Sequence, residues 1–169
     1  MKPLAGFAAV ARDDAEILIL GSMPGVKSLQ QQQYYAHPQN SFWYIIQKIL
    51  NVTEIESYQQ RLELLQKNRI ALWDVLQQCI RSGSLDSAIK SNSIIANNFL
   101  DFFQINKQIR SVFFNGARAE QEYRKHVLPE VVQIYPEINY KRLPSTSPAM
   151  ATMNREQKLV VWRDALALS

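Results

Sequence analysis

Residues 20–43 read LGSMPGVKSLQQQQYYAHPQNSFW, a run of residue types suited to handling a flat heterocycle. Gly21, Pro24 and Gly25 let the backbone turn sharply and come close to a ligand, and the N–H groups after Pro24 are placed to meet an anion. Tyr34, Tyr35, His37, Asn40, Phe42 and Trp43 then bring flat rings and one carboxamide into ten residues. Rings stack on a planar base while an amide bonds its edge or orients water. Each residue also has a plainer use. Asn40 is well placed to cap the following helix, Phe42 and Trp43 fit a core, and His37, lying before a proline, fits a structural turn.

Composition narrows the chemistry. Two histidines and the lone Cys79 do not make an ordinary zinc site without carboxylates, so neither a metal nor an organic cofactor is expected. A formal charge of +4 and a pI near 9.2 favour an anionic partner. A chain of 169 residues is enough for one domain, residues 1–169, with a core that needs no disulfide. The single cysteine fits a reducing cytoplasm. No leader peptide and no apolar run near the ~18 residues of a membrane span are found, so a soluble, unsecreted protein is expected.

The elements that must position these residues alternate. Short apolar runs at residues 16–20 (EILIL), 69–76 (RIALWDVL), 111–115 (SVFFN) and 139–143 (NYKRL) read as strands. Helical spacing marks residues 41–50, 57–67, 97–103, 117–128 and 154–168, while the glutamines at 30–33 fall in a loop. Alternation of this kind predicts an α/β fold, a three-layer α/β/α sandwich around a mainly four-stranded parallel sheet. Ligands in such folds sit beyond the carboxyl ends of the strands. Here those ends carry GSMPG with YYAHPQNSFW, then Asp74, then Asn115-Gly116, and last LPSTSPAMA over residues 143–151.

With these four segments together, the chain resembles the uracil-DNA glycosylase superfamily, and within it most closely the hypoxanthine-DNA glycosylase family. GSMPG stands at the first glycine-proline loop, HPQNSFW resembles the His-Pro-x-Asn-x-Phe-Trp segment of the mismatch-specific and hypoxanthine branches, and LPSTSPA resembles the DNA-inserting loop. GSLDSAI at residues 83–89 also fits that branch. Two departures stand out. Met23 occupies a place where several branches keep an acidic or amide catalytic residue, and the last loop lacks the histidine of efficient uracil-removing branches. Strong uracil excision is therefore not implied.

The resemblance implies hydrolysis of the bond between deoxyribose C1′ and a damaged base, probed from double-stranded DNA by a monomer acting at the nucleoid, with the nucleotide first rotated out of the stack. Asn40 is the expected catalytic residue. Gly21, Ser22, Met23, Tyr35, Phe42, Asp74 and Asn115 are expected in the base pocket, with Phe42 stacking on the base and Asp74 reading its N–H. Pro24, Gly25, Ser145, Thr146, Ser147, Pro148, Ala149 and Met150 are expected to meet DNA, Met150 as a wedge between base steps. Two other classes compete. A triad hydrolase could join Ser145 or Ser147 with His37 and Asp74, but no serine sits in a G-x-S-x-G elbow. A non-catalytic nucleotide-binding or nucleic-acid-binding module would use the same rings and charge.

Overall fold

The computed structural model describes residues 1–167. The four apolar runs form the parallel strands β2 (Ile17–Gly21), β3 (Ile70–Asp74), β6 (Ser111–Asn115) and β7 (Asn139–Leu143), in the order β3-β2-β6-β7. Three further strands, β1 (Leu4–Ala5) ahead of them in the chain and β4 (Leu76–Cys79) and β5 (Ile95–Ala96) between β3 and β6, make a small antiparallel sheet in the order β1-β4-β5. The helices are α1 (Val26–Gln31), α2 (Phe42–Ile49), α3 (Tyr58–Lys67), α4 (Phe99–Ile105), α5 (Ala117–His126), α6 (Leu128–Ile134) and α7 (Arg155–Ala167).

Side chains alternate across a strand, and this alternation divides the core into two. Leu18, Leu20, Ala71, Val112 and Phe114 face one side, where they meet Phe99, Phe102 and Phe103 of α4 and Ala119 and Tyr123 of α5. Ile19, Ile70, Leu72 and Phe113 face the other, against Phe42, Trp43, Ile45 and Ile46 of α2 and Leu159 and Trp162 of α7. The outcome is the expected three-layer sandwich. Helix starts follow from local hydrogen bonding: Ser57 Oγ accepts the Gln60 N–H, Asn98 Oδ1 that of Asp101, and Asn154 and Gln157 cap each other reciprocally.

Three elements depart from the sequence reading. The run 69–76 splits, because the Val75 and Leu76 N–H groups donate to Gly21 O and Ser22 O as the chain leaves the parallel sheet for the antiparallel one. Continuous hydrophobicity hides such a change of sheet, since Leu76 and Cys79 are as buried as the strand before them. A short helix, α1, occupies part of the supposed loop and takes in Gln30 and Gln31, ending at Gln32 in the left-handed region with φ 54°. The helix expected over 117–128 stops at His126, and α6 starts anew with Pro129 in its first turn. The last residue of the expected closing helix, Leu168, lies outside the described residues.

Strand register sets the site. Gly21 pairs with Asp74, and Asn115 pairs with Leu143, so the residues that end the four strands reach one edge of the sheet together. Gly116 follows with φ +99°, and a Cβ there would lie 3.0 Å from Ser145 Cβ. Gly116→Ala should therefore strain the backbone and push the segment after β7 outward, costing about 1–3 kcal/mol by denaturant unfolding. Unchanged stability would mean that this close approach constrains nothing.

Candidate active site

Above that edge opens a cleft of about 770 Å³, walled by the loop after β2, residues 84–87, the turn into α5 and the loop after β7. Its floor is Asp74, 4% exposed, with Oδ2 buried and lacking a hydrogen-bond partner. Burial first, and then the charge of Asp86, push its carboxyl up to about 7 against the opposing pull of Arg81. Tyr35 lies beside it with φ 55°, a conformation that bulky residues adopt rarely and at some cost. Its hydroxyl is buried and also unpartnered, and burial and the nearby Asp74 raise its pKa. Gly21 makes this convergence possible. A Cβ at Gly21 would stand 2.4 Å from Asp74 Oδ1 and 3.0 Å from the Tyr35 hydroxyl.

Asn40 lines the cleft at the head of α2. Its Oδ1 accepts the Phe42 N–H at 2.9 Å, so the capping role and a place in the site coexist. His37 also lines the cleft, and its Nδ1 accepts the Gln39 N–H at 3.1 Å, which holds the turn that delivers Asn40. Phe42 is placed differently from the expectation. It is fully buried and stacks at 4.1 Å behind Tyr35, so that of these two rings Tyr35 is the one on the cleft wall. The ring stack itself explains this, since a helix residue packed on Trp43 and Trp162 belongs to the core.

Four more of the expected residues line the cleft while being engaged elsewhere in the fold. Met23 is buried and packs in the core with Leu76 and Cys79 while also lining the cleft. Pro24 is buried, its carbonyl held by Arg81 Nη2 at 2.6 Å, and of the N–H groups that follow it the one on Val26 donates to Ser84 Oγ at 2.9 Å. Asn115 spends both ends of its carboxamide on Thr146, Oδ1 accepting the Thr146 N–H and Nδ2 donating to Thr146 Oγ1, each at 2.9 Å. Thr146 is in consequence completely buried, and its carbonyl accepts the Ser41 N–H at 3.0 Å. It thereby anchors the last loop beneath the cleft.

The rest of that loop is held from below and free above. Trp162 Nε1 donates to Pro144 O and Lys158 Nζ to Ser147 O, at 2.9 and 3.0 Å. Ser145 Oγ accepts the Ser147 N–H, and Ser147 Oγ accepts the Ala149 N–H. Pro148 and Ala149 are exposed at the tip and Met150 is half-buried beside them.

The wall formed by residues 81–87 was given no role in the sequence reading. Arg81, 3% exposed, donates through Nε to Gly83 O at 2.8 Å as well as to Pro24 O. Ser22 Oγ donates to Asp86 Oδ1 at 2.6 Å, and Arg118 Nη1 to Asp86 O at 2.8 Å. Gly83 turns with φ +69°. The signal available was the glycine and the serine–aspartate pattern of GSLDSAI, but nothing local told that these side chains reach back to Ser22 and Val26. Among the described residues, no group of three or more His, Cys, Asp or Glu side chains is disposed to hold a metal, and no helix is long and apolar enough to cross a membrane.

Known proteins share this fold. The family model described as the uracil DNA glycosylase superfamily matches residues 8–166. Proteins named hypoxanthine DNA glycosylase from Methanosarcina barkeri and Methanosarcina acetivorans are each 40% identical over 116 residues, spanning 68% of this chain and 72% of theirs. A solution NMR structure of a candidate uracil DNA glycosylase from Methanosarcina acetivorans superposes with a TM-score of 0.76 at 34% identity, covering 96% of this chain and 98% of that one. With its match running through all four strand ends, the chain belongs to the uracil DNA glycosylase superfamily and is a DNA N-glycosylase.

Proposed function

We propose that this enzyme removes hypoxanthine from deoxyinosine in double-stranded DNA, hydrolysing the N-glycosidic bond and leaving an intact abasic strand. The observation that carries this reading is the unpartnered Asp74 carboxyl on the cleft floor. The names of the relatives support the choice of base. Hypoxanthine offers an N–H at N1 to an ionised carboxylate, and acceptors at O6 and N7 to a protonated one. A carboxyl titrating at about 7 is available in both forms near neutrality. The neutral form also avoids placing a negative charge beside a base that departs as an anion.

The remaining parts follow from their positions. Tyr35, backed by Phe42, gives the flipped base a flat wall to stack on; such stacking is worth about 1–3 kcal/mol in single-strand binders. Asn40, its oxygen fixed by the Phe42 N–H, presents a neutral amide that orients the attacking water or bonds the base. Pro148, Ala149 and Met150 at the tip of the last loop fill the gap left by the nucleotide, Met150 wedging between base steps. Flipping costs about a few kcal/mol, less at the weak pairs that hypoxanthine makes. The enzyme works as a monomer without metal or cofactor, on chromosomal DNA in the cytoplasm. Release of an alkali-labile site from an inosine-containing duplex tests the reading directly, and the same assay with uracil and xanthine ranks the bases. No release from any of the three duplexes would sink it.

Asn40 separates capping from chemistry. Asn40→Ala should lower single-turnover excision at least a hundredfold and stability by about 1 kcal/mol, while Asn40→Ser, which restores a cap oxygen, should recover the stability and not the rate. Recovery of both by serine would reduce Asn40 to a cap.

Asp74 has a pH signature. Its folded pKa of about 7 lies above the ordinary 3.8, so the folded state holds the proton more tightly than the unfolded chain does. The stability this confers is fully present below about pH 4 and is lost as pH rises through about 7. Between pH 4 and pH 8 the wild type should therefore lose up to about 4 kcal/mol relative to Asp74→Asn. Excision by the wild type should fall as pH rises past about 7, and the variant should lack that limb. Parallel pH–stability curves for the two proteins would place the Asp74 carboxyl in water.

A further inference from the structure

The wall formed by residues 81–87 carries an unexplained apolar side chain. Leu85 is 56% exposed and lines the cleft, next to the 38% exposed Val26. Its exposure is not the result of a loose loop. On either side of it the chain is pinned: Arg81 holds Gly83 O, Ser84 Oγ accepts the Val26 N–H, Ser22 holds the Asp86 carboxylate, and Arg118 holds Asp86 O. Four hydrogen bonds thus present one leucine to solvent at the mouth of the site. Presenting it outward forgoes burial worth about 2 kcal/mol, so the fold gains nothing from the side chain there.

The position relative to the last loop gives it a use. Residues 81–87 connect Cys79 and Ile89, both packed in the core under α4 and α5. The loop after β7 hangs instead from Trp162 and Lys158 of α7, on the opposite face of the sheet. The cleft accordingly has two lips, one from each face, and each ends in apolar groups: the exposed Leu85 and Val26 on one, the exposed Pro148 and Ala149 with the half-buried Met150 on the other. The partner is already fixed as DNA by the family, and a strand whose nucleotide enters between the lips must pass over both.

We propose that Leu85 is a second wedge, which inserts beside the flipped nucleotide from the lip opposite the last loop, so that the gap in the duplex is held open from two sides. Leucine is of the size that separates base steps in bent and kinked DNA. Two wedges on separate pinned loops divide the unstacking between them, and neither must be ordered on binding. The proposal rests on the base-flipping reading above.

The test uses the full chain and two readouts. Leu85→Ala should slow single-turnover release of hypoxanthine from duplex at least tenfold and from single-stranded DNA less than twofold, with the melting temperature unchanged because the side chain supports no core. Leu85→Met should keep most of the duplex rate. In a duplex carrying a tetrahydrofuran abasic analogue next to 2-aminopurine, the wild type should raise the fluorescence by unstacking the probe, and Leu85→Ala should lose most of that rise. Equal slowing on both DNA forms would assign Leu85 to the base pocket and overturn the wedge, as would fluorescence identical in wild type and variant. Failure of the wild type to release hypoxanthine would count against the choice of base alone, since the fluorescence measurement contains no scissile base and still decides on Leu85.

Discussion

The site depends on one double hydrogen bond. Asn115, the last residue of β6, closes both ends of its carboxamide on the main chain and hydroxyl of Thr146, and Thr146 passes its own carbonyl to the Ser41 N–H. Through three residues the end of a central strand, the loop after β7 and the head of α2 are fixed against one another. Asn40 precedes Ser41, so the same chain of bonds sets where its amide stands. Such a link is strong because it is dry: Thr146 is wholly buried, and a carboxamide that lost its partner there would bear the full cost of an unmet polar group, about 1–3 kcal/mol. Gly116 completes the constraint by leaving room for Ser145 to lie against the turn.

Much of this was legible in the sequence, and the reason is periodicity. Strands β6 and β7 fall on the residues expected, since each is a short run bounded by turn or helix signals, and the buried faces of α2 and α3 follow their 3.6-residue spacing. The motif-bearing loops were legible because glycine, proline and aromatic residues concentrate there. What could not be read was the direction of individual side chains. Phe42 and Tyr35 are both rings in the same segment, and only the stacking of one behind the other tells which faces the cleft. Asn115 and Asn40 are both asparagines near strand or helix ends and both line the cleft, yet one has both ends of its amide bonded to Thr146 and the other only its oxygen bonded, to the Phe42 N–H. Residues 81–87 show the same limit at longer range, because their partners Ser22, Pro24, Val26 and Arg118 are scattered along the chain.

The electrostatics of the cleft run against the overall charge. A protein with a formal charge of +4 places two carboxyl groups, Asp74 and Asp86, along the one surface that must admit an anionic strand. Their environments differ. Asp74 is buried with an unmet oxygen, so desolvation and its neighbour's charge favour the neutral form; Asp86 is exposed and accepts the Ser22 hydroxyl. On the proposed reading both bear on one transition state. Cleavage of the glycosidic bond separates a sugar that becomes cation-like from a base that becomes an anion, and a site that serves both needs negative charge near the first and none near the second. A buried, desolvated carboxyl on the floor and an exposed one at the rim set the same residue type in two different environments. Arg81, buried between the first loop and residues 83–86, opposes the upward push on the Asp74 carboxyl. The guanidinium that joins two walls of the cleft thereby also tunes its floor, and the mechanical and electrostatic design of the site meet in that one side chain.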